Sequence, residues 1–106
     1  MLVVAAVSSA LLASAQKPAT VRVEQEQSST VHVGQIASVR VPANHSFGGA
    51  APTLKLVGRF KQRGATVYLY RAIRAGNATF VASPNNLKPG DCISCVTIHW
   101  FITIVP

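Results

Sequence analysis

The sequence predicts an all-β fold, a Greek-key β-sandwich of about seven strands behind a short N-terminal export signal. Three observations carry the prediction. Apolar residues recur with a period of two in short runs, no 3.6-residue apolar stripe appears beyond the N-terminus, and Gly-, Asn- and Pro-containing turns separate the runs. Strands of this kind without helices fit two packed sheets, with a small closed barrel as the alternative.

Taken in order, Leu2 to Leu12 are apolar or small, and Ala13-Ser14-Ala15 is the small-x-small pattern that a signal peptidase accepts. No Lys or Arg precedes the run, so the α-amino group supplies its positive charge. The run stops well short of the roughly 20 apolar residues of a membrane-spanning helix, and none that long follows. Residues 1–15 are therefore expected to be a cleaved signal peptide, and residues 16–106 a single domain. Export places that domain in a secreted, periplasmic or cell-surface location.

Thr20-Val21-Arg22-Val23-Glu24 alternates cleanly as a first strand. Val31-His32-Val33 leads through Gly34 into Ile36 to Val41, which Pro42 stops. Ala43 to Pro52 has loop composition, with Asn44, Ser46, Gly48, Gly49 and Pro52. Thr53 to Phe60 reads as a strand with a bulge marked by Gly58. Ala65 to Ile73 is a strand rich in β-formers (Thr66, Val67, Tyr68, Tyr70). Ala75-Gly76-Asn77 turns the chain into Ala78 to Val81, and Ser83 to Asp91 reads as a second loop. Val96 to Val105 carries the strongest signal, with Val96, Ile98, Trp100, Ile102 and Ile104 on one face and Thr97, His99, Phe101 and Thr103 on the other. Burying the first five contributes about 1.5–3 kcal/mol each as an upper bound.

Composition excludes several function classes. The 106 residues carry 10 Lys+Arg against 3 Asp+Glu, a net charge of +7. Glu24, Glu26 and Asp91 are the only carboxylates, too few for a paired-carboxylate hydrolase or a carboxylate-rich metal site. No Gly-x-Ser-x-Gly turn aims a nucleophilic serine, and no Gly-rich loop opens a helix to cradle phosphate. The chain reads as non-enzymatic, with no cofactor. Its positive field favours acidic polymers, yet only Arg59, Lys61 and Arg63 cluster, beside Gly64 as at a hairpin tip. No basic-aromatic interleaving of a single-strand binder is present, so specific nucleic-acid recognition is not expected.

Cys92-Ile93-Ser94-Cys95 is the only C-x-x-C. In an exported chain it reads as a disulfide between Cys92 and Cys95, since a redox pair wants its first cysteine at a helix N-terminus and this one leads toward a strand. Cys95 and His99 share a face of that strand, but roughly 13 Å apart at about 3.3 Å per residue, too far to bind one ion. No metal site is expected, and His99 with Phe101 reads as an outer face available to a second subunit.

Two resemblances follow from these motifs. Val31-His32-Val33-Gly34-Gln35 with its following strand, and Tyr68-Leu69-Tyr70-Arg71-Ala72-Ile73-Arg74-Ala75-Gly76-Asn77-Ala78-Thr79-Phe80, resemble bacterial immunoglobulin-like domains. The second has an aromatic-x-Ala strand that runs into a Gly hairpin. The chain is also distantly similar to chagasin-type cysteine-protease inhibitors, single-domain sandwiches in which three loops at one end enter the protease cleft. At the position of their first loop, Asn44-His45-Ser46-Phe47-Gly48 keeps the Asn and the Gly. Near their last, Ser83-Pro84-Asn85-Asn86-Leu87 stands without the family's Arg and Trp.

The expected function is thus an exported immunoglobulin-like module with a structural, adhesive or self-assembling role at the cell surface, its assembly face at His99 and Phe101. The alternative implied by the resemblance is an inhibitor-like protein binder acting through Asn44, His45, Ser46, Phe47 and Gly48 together with Pro84, Asn85 and Asn86. Binding of acidic polymers through Arg59, Lys61 and Arg63 is the third expectation.

Overall fold

The computed structural model describes residues 19–49 and 51–106. The expected signal segment, residues 1–15, lies outside them. Among the described residues are eight strands: β1 (Thr20–Arg22), β2 (Ser28–His32), β3 (Ile36–Pro42), β4 (His45–Gly48), β5 (Leu54–Gln62), β6 (Ala65–Ala72), β7 (Gly76–Pro84) and β8 (Ile98–Val105). One helical turn, α1 (Ile93–Val96), precedes β8. The strands form two four-stranded sheets in the orders β1-β3-β6-β5 and β2-β8-β7-β4.

β5–β6 and β7–β8 are hairpins within a sheet, whereas the β3–β4, β4–β5 and β6–β7 connections cross between sheets. With β1 and β2 pairing parallel to β3 and β8, this is the Greek-key order of an immunoglobulin-like sandwich. The expected fold class is the observed one.

The core lies where the inner faces meet. Trp100, Ile102, Val31 and Val39 are its largest fully buried side chains, and Ala37, Ala72 and Ala82 let the sheets approach between them. An aromatic stack fills the middle. Phe47 lies 4.5 Å from Tyr68 and 5.3 Å from Phe80, ring centre to ring centre, and meets Trp100 edge-on at 5.7 Å. Tyr70 stacks on Phe80 at 4.8 Å. Offset rings at these separations contribute beyond their buried area.

Several expected boundaries are corrected. The first strand ends at Arg22, because the chain leaves at Val23 to cross to the other sheet; Val23 N–H donates to Ser38 O at 2.9 Å on the way. The expected loop of residues 43–52 contains β4, which pairs antiparallel with the end of β7. Its sequence is poor in β-formers, and the strand is held by Phe47 anchoring inward. Gly76 begins β7 instead of turning the chain. The bulge does fall beside Gly58, with the register of β5 shifting between Leu56 and Gly58.

At the C-terminal end, Val96 is not on the buried face of the last strand. It ends α1 and is 43% exposed, since the helical turn interposed before Ile98 breaks the alternation. Cys92 and Cys95 are joined as expected, but Cys92 stands as N-cap of α1, so the pair leads into a helical turn and Cys95 shares no strand face with His99. β8 is paired on both sides, by β2 and β7, and therefore offers no free edge for strand addition.

Candidate protein-binding end

Three connections converge at one end of the sandwich. The β3–β4 turn, Ala43-Asn44, lies between the β5–β6 turn, Arg63-Gly64, and the long β7–β8 loop that starts at Asn85. Backbone hydrogen bonds tie it to both: Ala43 N–H donates to Gly64 O at 3.0 Å, and Asn85 N–H donates to Asn44 O at 2.8 Å. The Ser46 hydroxyl donates to Asn85 Oδ1, and an Arg40 guanidinium N–H reaches Arg63 O at 3.0 Å.

Local chemistry explains two of these turns. Asn44 has φ +61°, a left-handed conformation that Asn tolerates better than most residues. Lys88-Pro89-Gly90-Asp91 suits a type II turn, with Pro in its second place and Gly90 at φ +94° in its third. Asp91 fixes that turn through its carboxylate, which accepts from Lys88 N–H at 2.7 Å, and its own N–H donates back to Lys88 O at 3.0 Å. Beyond it the Cys92–Cys95 disulfide and the Thr97 hydroxyl, donating to Ile93 O at 2.7 Å, brace α1. A loop ordered in advance loses less entropy on binding.

The loop residues expected from the sequence divide here. Asn44, Asn85 and Asn86 do lie in the converging turns. His45, Ser46, Phe47 and Gly48 instead form β4, and Pro84 closes β7. Phe47 points into the aromatic core, so it is a packing residue; local composition does not show this, because the tertiary contacts of one half-buried ring outweigh weak local propensity. The expected basic cluster also divides. Arg63 sits at the converging end, whereas Arg59 and Lys61 of β5 flank an open cleft of about 520 Å³ with Thr66 and Tyr68 of β6.

Two residues of the end were missed by sequence reasoning. Ile93 is 58% exposed and Val96 is exposed beside it, both on α1. Their signal was present: apolar residues within and beside a four-residue disulfide loop have no room to be buried by it. Elsewhere, His99 and Phe101 lie on the outer face of β8 with rings parallel at 5.9 Å. The His99 ring also lies near a carboxylate, with Nδ1 3.3 Å from Glu26 Oε2. The Tyr70 phenol is held above its ordinary range by burial and then by Tyr68, within the core and away from the end.

No family model matches the chain, and no curated protein matches it. Among solved structures the chain is similar to the cysteine protease inhibitor EhICP2 from Entamoeba histolytica. The two share 9% identity at a TM-score of 0.59, over 84% of this chain and 96% of that one. At this identity the likeness is one of fold: an all-β sandwich of the same extent.

Proposed function

We propose that this chain is a non-catalytic, exported protein-binding domain, residues 16–106, that engages its partner with the three-connection end. The partner class we assign is a cysteine protease. The carrying observation is the braced β7–β8 loop. It displays exposed Ile93 and Val96 and is hydrogen-bonded through Asn85 to the β3–β4 turn, which is itself bonded to the β5–β6 turn, a small braced apolar tip of the kind that fills a cleft. The likeness in fold to a cysteine protease inhibitor supports the choice of partner.

The test is a titration of papain-like proteases with the purified oxidised chain and with an Ile93→Asp/Val96→Asp variant. Both side chains are exposed, so the variant keeps its fold. Inhibition at micromolar concentration that weakens about tenfold or more in the variant supports the reading. Absence of inhibition by the parent chain refutes the partner class.

Self-association is a second reading, favoured by one observation. β5 is a nine-residue edge strand that exposes Leu56, Val57 and Phe60, interrupted by a bulge and by Lys55, Arg59 and Lys61. An apolar edge invites pairing, and bulges and edge lysines oppose it. Light scattering decides: particles larger than a monomer that dissociate in Phe60→Lys favour assembly, and a monomer at high concentration removes it.

A further inference from the structure

We propose that the Cys92–Cys95 disulfide is a thiol-exchange site, which captures the catalytic thiolate of a bound cysteine protease as a reversible mixed disulfide. The proposal rests on the reading of the loop end as a protease-binding tip and adds a covalent step to it. Both cysteines are exposed, and the chain has no third. Exposed disulfides are the labile class, because a thiolate must reach a sulfur to break them. The pair flanks exposed Ile93, and exposed Val96 follows directly. A contact that seats these two side chains in the cleft carries the sulfurs in with them. There they meet a thiol that is already ionised at neutral pH and acts as a nucleophile.

Opening the bridge leaves the tip standing. So short a loop constrains the chain little. The turn is also closed without the sulfurs: Cys95 N–H donates to Cys92 O at 3.2 Å, and the Thr97 hydroxyl donates to Ile93 O at 2.7 Å.

Local geometry selects the leaving sulfur. Ser94 Oγ lies 3.7 Å from Cys92 Sγ, within hydrogen-bond reach of a sulfur. A disulfide sulfur has no proton to give, so the hydroxyl donates. That hydrogen bond strengthens as charge develops on Cys92 Sγ, and a stabilised thiolate leaves faster. The step is then a direct displacement. The protease thiolate attacks Cys95 Sγ and forms the new S–S bond, while the electron pair of the old S–S bond departs with Cys92 as its thiolate. No outside oxidant or reductant enters. Cys92 stays beside Cys95 and reverses the exchange by attacking it again, which restores the disulfide and releases intact protease.

The experiment mixes the oxidised full chain with papain freed of its activating reductant and quenches with iodoacetamide, which alkylates the released Cys92. Intact masses and peptide maps are read without reduction. Parallel samples use Cys92→Ser/Cys95→Ser, its fold verified by its urea midpoint, and papain blocked beforehand at its catalytic thiol. The expected result is an adduct joined at Cys95, cleaved by dithiothreitol and lost with the variant and with the blocked enzyme. The variant still inhibits, but without the adduct. Inhibition by parent and variant alike with no adduct overturns the exchange and leaves the protein-binding reading in place. Neither inhibition nor adduct overturns both. An adduct joined through Cys92, or one formed with the blocked enzyme, overturns the assigned chemistry.

Discussion

Replacing Phe47 by Ala separates a core residue from a binding residue, the two roles between which sequence and structure disagree. A Phe→Ala change in a closed core costs about 3–5 kcal/mol. Phe47 is half-buried, which brings the transfer part to roughly half of that range. The same change removes ring contacts with Tyr68, Phe80 and Trp100, each contributing about 0.5–1.5 kcal/mol beyond area and not fully additive. The expected loss is about 3 kcal/mol. For a domain of this size that lowers the melting temperature by roughly 12–24 °C. Urea unfolding followed by Trp100 fluorescence reads it as a lower midpoint at unchanged slope. A loss below about 1 kcal/mol, typical of an exposed side chain, would refute the placement of Phe47 in the core and return it to the surface.

Other expectations follow from single sites. The double variant Cys92→Ser/Cys95→Ser loses at most about 2 kcal/mol by the chain-entropy estimate, since so short a loop constrains little; a calorimetric scan with and without reductant measures it. Gly49 has φ +148°, and a Cβ there would stand 2.7 Å from the backbone oxygen of Thr79. Gly49→Ala therefore costs about 2 kcal/mol or more, while Gly48→Ala, whose Cβ meets nothing within 4 Å, stays within about 0.5 kcal/mol in the same denaturation assay. Tyr70, held above its ordinary value of 10.0 chiefly by burial and then by Tyr68, keeps its proton longer in the folded chain than in the unfolded one. Its contribution to stability is complete below about pH 10 and is lost as pH rises through its folded value, so urea midpoints should fall above that pH and fall less in Tyr70→Phe.

Much of the fold was legible because its strongest strands declare their faces. Trp100, Ile102 and Ile104 on β8 alternate with Phe101 and Thr103, and the burial follows that alternation. Gly58 marked the bulge because a glycine inside a strand pattern has no packing role of its own. Residues 45–48 were illegible for the opposite reason: strand β4 is stabilised by Phe47 meeting Tyr68, Phe80 and Trp100, partners distant in sequence. The site was legible in part. Asn44, Asn85 and Asn86 announced turns, but no local pattern says that Arg63-Gly64 would close against Ala43, or that α1 would lift Ile93 and Val96 into solvent. Tertiary register decides both.

The central claim is that the converging end fills a partner's cleft. Calorimetric titration of a papain-like protease with this chain, before and after a bulky reagent is attached to the protease's catalytic thiol, tests it most directly. The account predicts binding to the free enzyme and its loss once the cleft is filled. Equal binding to the blocked enzyme, or none to either form, would contradict it.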